Sequence, residues 1–294
     1  VHWKTKEGLV RGCSCRGTAG FAHVSCLAEQ AKILIAEAEE NKLGDDALNV
    51  RWVRWHTCSL CEQDYHGVVA HALGWSCWKT YLGRPETDII RSCAMTHLGN
   101  GLCEAGHHED ALLVRQAEMA ALQRLGAPVE SIVVTMSNLA STYQSLGRLE
   151  EALRVWKDVY SGGLRILGEE DGQTLISVLN YAKVLVDLER YKEAKALLRK
   201  SIPVARRNLG DCHDTTLRMR WICAEAFYND DDATLDDRRE AVRTLEDLVR
   251  IARRVFGGAH PITVLIEKSM RHARVSVALR EGGVESIREA VEAM

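Results

Sequence analysis

Asn138-Leu-Ala-Ser-Thr-Tyr143-Gln-Ser-Leu-Gly147-Arg-Leu-Glu-Glu151-Ala152 is the stretch that decides the fold of this 294-residue chain. Ahead of Gly147, Val133, Met136, Leu139, Ala140 and Tyr143 recur at helical spacing. Gly147, free to adopt positive φ, ends that helix. Over residues 150–167 a second stripe follows, built from Ala152, Leu153, Trp156, Val159 and Tyr160. The pattern then repeats. Asn180-Tyr-Ala182 stands 42 residues after Asn138-Leu-Ala140, and Glu193-Ala194 stands 42 after Glu151-Ala152. Glu240-Ala241 returns after a further 47 residues. The pairs Leu82-Gly83, Leu125-Gly126, Leu167-Gly168, Leu209-Gly210 and Phe256-Gly257 step by 43, 42, 42 and 47 residues. The long step contains an acidic insert, 229–237. A helix with one apolar stripe must bury it against a neighbour, so two such helices per period predict a mostly α protein, an α-solenoid of stacked helix pairs. Pro203 lies inside the helical pattern 191–209 and predicts a kink or a new helix start.

These residues resemble tetratricopeptide repeats of the long, kinesin-light-chain-like type. The signature is Asn138-Leu-Ala-x-x-Tyr143-x-x-x-Gly147-Arg-x-x-Glu151-Ala152, and the second copy is Asn180-Tyr-Ala182 with Arg190-Tyr191-x-Glu193-Ala194. That family's hinge text is whole once, at Phe256-Gly257-Gly-Ala-His260-Pro261-Ile-Thr263, while Leu209-Gly210-Asp-Cys-His213-Asp-x-Thr216 lacks the proline. The resemblance covers about residues 90–275, and it implies an inner groove that binds a protein or peptide ligand. On a helical wheel the groove-facing candidates are Asn138 and Ser141, then Asn180 and Lys183, then Arg218 and Glu225. Asn138 and Asn180 have two open readings, contact with a peptide backbone and bridging between repeats.

The chain has ten cysteines, five of them within the first 61 residues. They run Cys13-x-Cys15, His23-x-x-Cys26 and Cys58-x-x-Cys61. No secretory signal is visible, so the expected compartment is reducing, the cytoplasm. Clustered thiols in such a compartment point to metal, and Zn2+ takes four N or S ligands. The spacing and the text Cys13-Ser-Cys15-Arg16-Gly17 resemble the RING-CH zinc finger, with a PHD-type finger as the neighbouring alternative because Trp55 precedes Cys58 by three residues. The cross-braced RING-CH arrangement implies one complete site, Cys13, Cys15, Cys58 and Cys61. It also implies a half site, His23 and Cys26, whose Cys-x-x-Cys partner is missing. Residues 1–11 hold no cysteine, so that pair is expected upstream of Val1, with His2 as a weak substitute. The expected division is a zinc module at 1–66 and a repeat solenoid at 67–294.

Composition narrows the function. Lys plus Arg number 38 against 41 acidic residues, a net charge of −3, so there is no basic excess to draw a nucleic acid. No apolar run is long enough for a membrane span. Neither a phosphate loop, a nucleophile elbow nor a His-Glu-x-x-His helix is present. His107-His108-Glu109-Asp110 reads as a solvated turn, and 230–237 reads as a solvated acidic loop. No catalytic residue is assigned. Two functions remain: a zinc-binding scaffold that holds a protein partner, and a RING-CH-type ubiquitin ligase whose repeats recruit substrate. In the second, a ubiquitin-conjugating enzyme would dock near Leu60 and the Trp52/Trp55 region, although Trp52 and Trp55 also suit plain core packing.

Overall fold

The structure, a computed structural model, describes Lys4 and residues 6–282. Its described residues form twelve α-helices and no extended strand, with two isolated antiparallel bridges, Val10–Ala22 and Thr57–Asp64. They divide into two compact units, residues 1–147 and 148–294. Among the described residues, no helix is long and apolar enough to cross a membrane.

The first unit contains α1 (Val24–Glu40), α2 (Asp45–Trp52), a 3-10 turn at Val53–Trp55, α3 (Gly67–Tyr81), α4 (Ile89–Glu104), α5 (His108–Arg124) and α6 (Val129–Ser145). Consecutive helices from α3 to α6 pack on one another, and α1 packs on α3. Asp88 starts α4 by accepting from Ile90 N at 2.8 Å, which satisfies one of the free amides of the first turn. Gly147 follows α6 at φ +70°, as its place in the signature requires. His107 immediately precedes α5, and its ring lies 5.1 Å from that of His71 on α3. The tetrad from His107 spans the turn into α5, and His107, Glu109 and Asp110 are exposed there.

The approach of α3 to α4 depends on small residues. A Cβ at Gly101 would lie 2.7 Å from the Ala70 carbonyl oxygen, and one at Gly74 would lie 3.2 Å from the His97 carbonyl oxygen. Backbone cannot yield as a side-chain tip can. Gly101→Ala is therefore expected to separate the helices and cost about 1–3 kcal/mol, the usual range for overpacking. Urea unfolding of the variant measures this, and an unchanged midpoint would remove the close approach as a constraint.

The second unit contains α7 (Leu149–Ile166), α8 (Gly172–Asp187), α9 (Tyr191–Leu209), α10 (Asp214–Tyr228), α11 (Leu235–Phe256) and α12 (Pro261–Glu281). Successive helices pack as pairs, and α10 also touches both α8 and α12, so alternate helices lie side by side as the stacking of repeats demands. Leu217, Leu245, Leu248 and Ile266 are fully buried in the core shared by α10, α11 and α12. Each residue of the hinge text has a place. Gly257 ends α11 at φ +87°, and Phe256 stacks on His260 at 4.9 Å. His260 Nδ1 accepts from Ile262 N, Pro261 occupies the first helical position, and Thr263 Oγ1 donates to the Gly257 carbonyl at 2.9 Å.

Two expectations are narrowed here. First, α9 runs through Pro203 from Tyr191 to Leu209, so no new helix starts there. Second, the acidic insert is solvated only in part, with Asp231, Asp232 and Asp236 exposed. Asp230 is buried and pairs with Lys195 at 2.5 Å. Arg238, also buried, donates to the carbonyls of Tyr228 and Asp230, each at 2.7 Å, and to Ser276 Oγ. Thr234 and Asp237 form a reciprocal capping box that starts α11. Arg238 shares this work: Ser276 Oγ also donates to the Tyr228 carbonyl, Ala233 N to that of Asp230, and Arg280 to that of Asp231, so the lengthened turn keeps its backbone oxygens bonded.

Candidate metal centre and partner-facing residues

Two short hairpins carry the cysteines. One is closed by the Val10–Ala22 bridge, with Val10 N to Ala22 O at 2.9 Å and Ala22 N to Val10 O at 3.0 Å. In the other, Cys58 N donates to Gln63 O and Glu62 N donates to Cys58 O, with Glu62 at φ +55° turning the chain. Their tips bring together Cys13, Cys15, Cys58 and Cys61, whose sulfurs all lie within 4.8 Å of one another. Among the described residues this is the one group of three or more potential ligands.

The donor set fits a metal ion. Tetrahedral sulfurs about 2.3 Å from a zinc stand about 3.8 Å apart, and Cys15 and Cys58 are 3.8 Å apart. That is far beyond a disulfide bond. Gly20, at φ +77°, lies against the cluster. A Cβ there would meet Cys15 Cβ at 2.6 Å and the sulfurs of Cys13 and Cys15 at 2.9 Å, so the space is shaped to the thiols. Burial and the neighbouring Cys13 push the Cys15 thiol up to about 12, and burial likewise raises Cys13. Cys58 is also buried, yet backbone amides of Cys61 and Leu60 lower it to about 7. Four thiols this close cannot all ionise beside one another without a cation to hold them, and a divalent metal would supply that charge.

His23 and Cys26 stand apart from this group. His23 immediately precedes α1, and its Nδ1 lies 3.7 Å from Cys26 Sγ. No third ligand joins them among the described residues, and His2 lies outside those residues. The expected docking region separates into two roles. Trp55 is fully buried, edge-on to Tyr81 with ring centres 5.9 Å apart, whereas Leu60, between the two ligands of its knuckle, is 69% exposed. The module is also continuous with the helices after it. Cys13, Cys58 and Tyr65 share one core with Val69, Ala70 and Leu73 of α3.

The six groove candidates fall in both units. On α6, the exposed Ser141 donates back to the Ser137 carbonyl at 3.0 Å, while the Asn138 carbonyl accepts from Arg115. In the second unit, Lys183 on α8 pairs with Asp187 at 2.9 Å and faces Glu225 on α10 at 3.8 Å. Glu225 accepts in turn from Ser269 on α12 at 3.0 Å, and Trp221 donates to the same hydroxyl at 2.8 Å. Burial opposes the charge on Lys183, but Asp187 and Glu225 raise its pKa on balance. Asn180 lies one turn before Lys183, and Arg218 pairs with Asp214 at 2.9 Å. So α8, α10 and α12 share one face, linked by Lys183, Glu225, Trp221 and Ser269.

Sequence reading missed a buried polar group in the first unit: His97 on α4 with Arg115 and Glu118 on α5, all nearly inaccessible. They border a cleft of about 760 Å³. A polar residue within a helical pattern reads as solvent-facing, and nothing local reveals these three as buried.

With the geometry in place, the comparisons are informative. Residues 131–207 match the tetratricopeptide-repeat family. Among solved structures, the nearly identical kinesin-light-chain TPR-like repeats of Podosopora anserina align with 79% of this chain and 97% of their own, at 19% identity and a TM-score of 0.53. BtubC (BKLC) from P. vanneervenii aligns with 93% of this chain and 89% of its own, at 13% identity and a TM-score of 0.54. At these identities the likeness establishes the repeat fold. No curated protein matches the chain in sequence.

Proposed function

We propose that this chain is a protein-interaction scaffold: tetratricopeptide repeats hold an extended segment of a protein partner, and a zinc ion in the Cys13–Cys15–Cys58–Cys61 group fixes the N-terminal end. The face shared by α8, α10 and α12 carries the reading. Its amide, cation and carboxylate at Asn180, Lys183 and Glu225 are placed side by side, with Lys183 and Glu225 3.8 Å apart. Such groups can bond the backbone and side chains of an extended peptide. The zinc is structural, because four protein sulfurs leave no open position for a reacting water.

A random peptide library panned on the full chain tests this. The enriched peptide is expected to lose about tenfold in affinity to Lys183→Glu, a loss of about 1.4 kcal/mol, with the helical circular dichroism unchanged. No enrichment, or an affinity indifferent to Lys183, ends the scaffold reading.

The exposure of Leu60 favours one second reading. An apolar side chain held out between two ligands suits docking of a ubiquitin-conjugating enzyme, as the RING-CH resemblance implies. Ubiquitin transfer onto the chain itself, lost in Leu60→Ala with zinc retained, would support it. No transfer with any conjugating enzyme ends it.

A further inference from the structure

The cleft in the first unit is lopsided in charge and in hydrogen-bonding capacity. Four carboxyls line it, those of Asp64, Glu104, Glu118 and Glu130, against the single guanidinium of Arg115. That guanidinium is already engaged with Asn100, the Asn138 carbonyl and Thr142, so it does not pair with Glu118. Glu118 is 2% exposed and accepts from Thr96. Burial pushes its carboxyl up, and only in part do the Thr96 hydroxyl, the charge of Arg115 and the Thr135 hydroxyl pull it back. A buried carboxyl in this condition gains from an incoming cation.

An independent observation comes from His97, which is 7% exposed and borders the same cleft. Its backbone hydrogen bond goes to Trp55, while Nε2 has no hydrogen-bond partner among the described residues. Burial, with a smaller push from His56, lowers its pKa to about 4. At neutral pH the ring is uncharged, and Nε2 presents a bare acceptor. A buried acceptor left without a donor is unfavourable, so the site is short of an N–H. Asp64 stays ionised: burial would raise it, but Thr57 at 2.8 Å and His56 at 3.2 Å more than offset that. Trp52, on the same cleft, adds an aromatic surface suited to a cation.

We propose that this cleft receives the side chain of an arginine from a basic peptide segment of the partner, its guanidinium donating to Glu118 and to Nε2 of His97. Arginine fits better than lysine because its planar fork offers several donors at once to acceptors on different helices. The inference rests on the scaffold reading and adds a second contact point, in the first unit, with a stated ligand chemistry.

The test uses the full chain and the peptide acetyl-Gly-Ser-Gly-Arg-Gly-Ser-Gly-amide. Its controls carry citrulline, the neutral isostere, or Glu in place of Arg. Titration is followed on the histidine ring signals by NMR, which reads affinities into the millimolar range. The Arg peptide is expected to shift the His97 signals and to bind about tenfold more tightly than the citrulline peptide, with no binding of the Glu peptide. Glu118→Gln keeps the acceptor for Thr96 and removes the charge, so it should erase the Arg-over-citrulline preference. Should that variant misfold, the surface double variant Glu104→Gln/Glu130→Gln decides, with an expected loss of several-fold that shrinks as salt rises. Equal binding of the Arg and citrulline peptides, a preference surviving both variants, or binding of free spermidine without binding of the peptide would each overturn the proposal. Failure here alongside a library peptide sensitive to Lys183→Glu leaves the scaffold reading intact.

Discussion

Cys58→Ser is expected to abolish metal retention and to unfold the N-terminal module of the first unit. Elemental analysis should find about one zinc per wild-type chain and none in the variant, because three sulfurs and a hydroxyl are a far poorer set for zinc than four thiolates. Structural zinc sites contribute about 10–16 kcal/mol of apparent binding free energy, as much as the whole stability of a typical domain, about 5–15 kcal/mol. Loss on that scale cannot stay local. Cys13, Cys58 and Tyr65 share their core with Val69, Ala70 and Leu73 of α3, so amide exchange should quicken from residue 7 through α3. The second unit should keep its protection, since none of its residues belongs to that core. Cys26→Ser supplies the contrast, because Cys26 lies outside the four-sulfur group and its loss should leave the zinc count unchanged. Wild-type protein without zinc, or a Cys58→Ser variant with unaltered exchange, would refute the metal as the anchor of this module.

The second large effect is expected at Trp55. This indole is completely buried, packed edge-on to Tyr81 and within 6.4 Å of Trp52, in a core that also holds Ala31, Ile35 and Ala94. Truncating a buried Trp to Ala removes its transfer free energy and leaves a cavity, about 3–5 kcal/mol together. The neighbours are anchored on α1, α3 and α4, so they cannot close the gap easily. Urea unfolding of Trp55→Ala should show that loss, and Leu60→Ala, five residues on, should change stability by no more than about 0.5 kcal/mol. If the two variants behave alike, the division between core and surface at this knuckle is wrong.

The sequence made the repeats legible because a 42-residue period imposes the same demand on each helix pair. Ala140 recurs as Ala182 and Ala224, and the left-handed turn at Gly147 recurs at Glu189, so repetition exposes both positions. The hinge was legible for a similar reason, since His260, Pro261 and Thr263 each act within a few residues of their own position. The four-sulfur group was reachable only through resemblance. Spacing alone does not say that a knuckle at residue 13 meets one at residue 58 across two intervening helices. Legibility failed where a polar residue serves the interior. Arg115, Glu118, Arg238 and Asp230 carry charges that read as solvent-facing, and their burial depends on partners distant in sequence, such as Asn138, Thr96, Ser276 and Lys195. At Pro203 the local rule leaves a kink and a new helix start both open, and α9, packed between α8 and α10, runs on as one helix.

Arg238 has a broader meaning for arrays of this kind. A stack built from equal periods would be expected to tolerate no extra length, because each added residue shifts everything after it out of phase. Here the turn before α11 works as an expansion joint. The surplus chain is gathered into one polar knot around a guanidinium, and α11 and α12 resume the register of the preceding pairs. Length can therefore vary at such joints while the stacking rhythm is preserved, and the sign to look for in a lengthened period is a buried arginine one turn into the helix that follows.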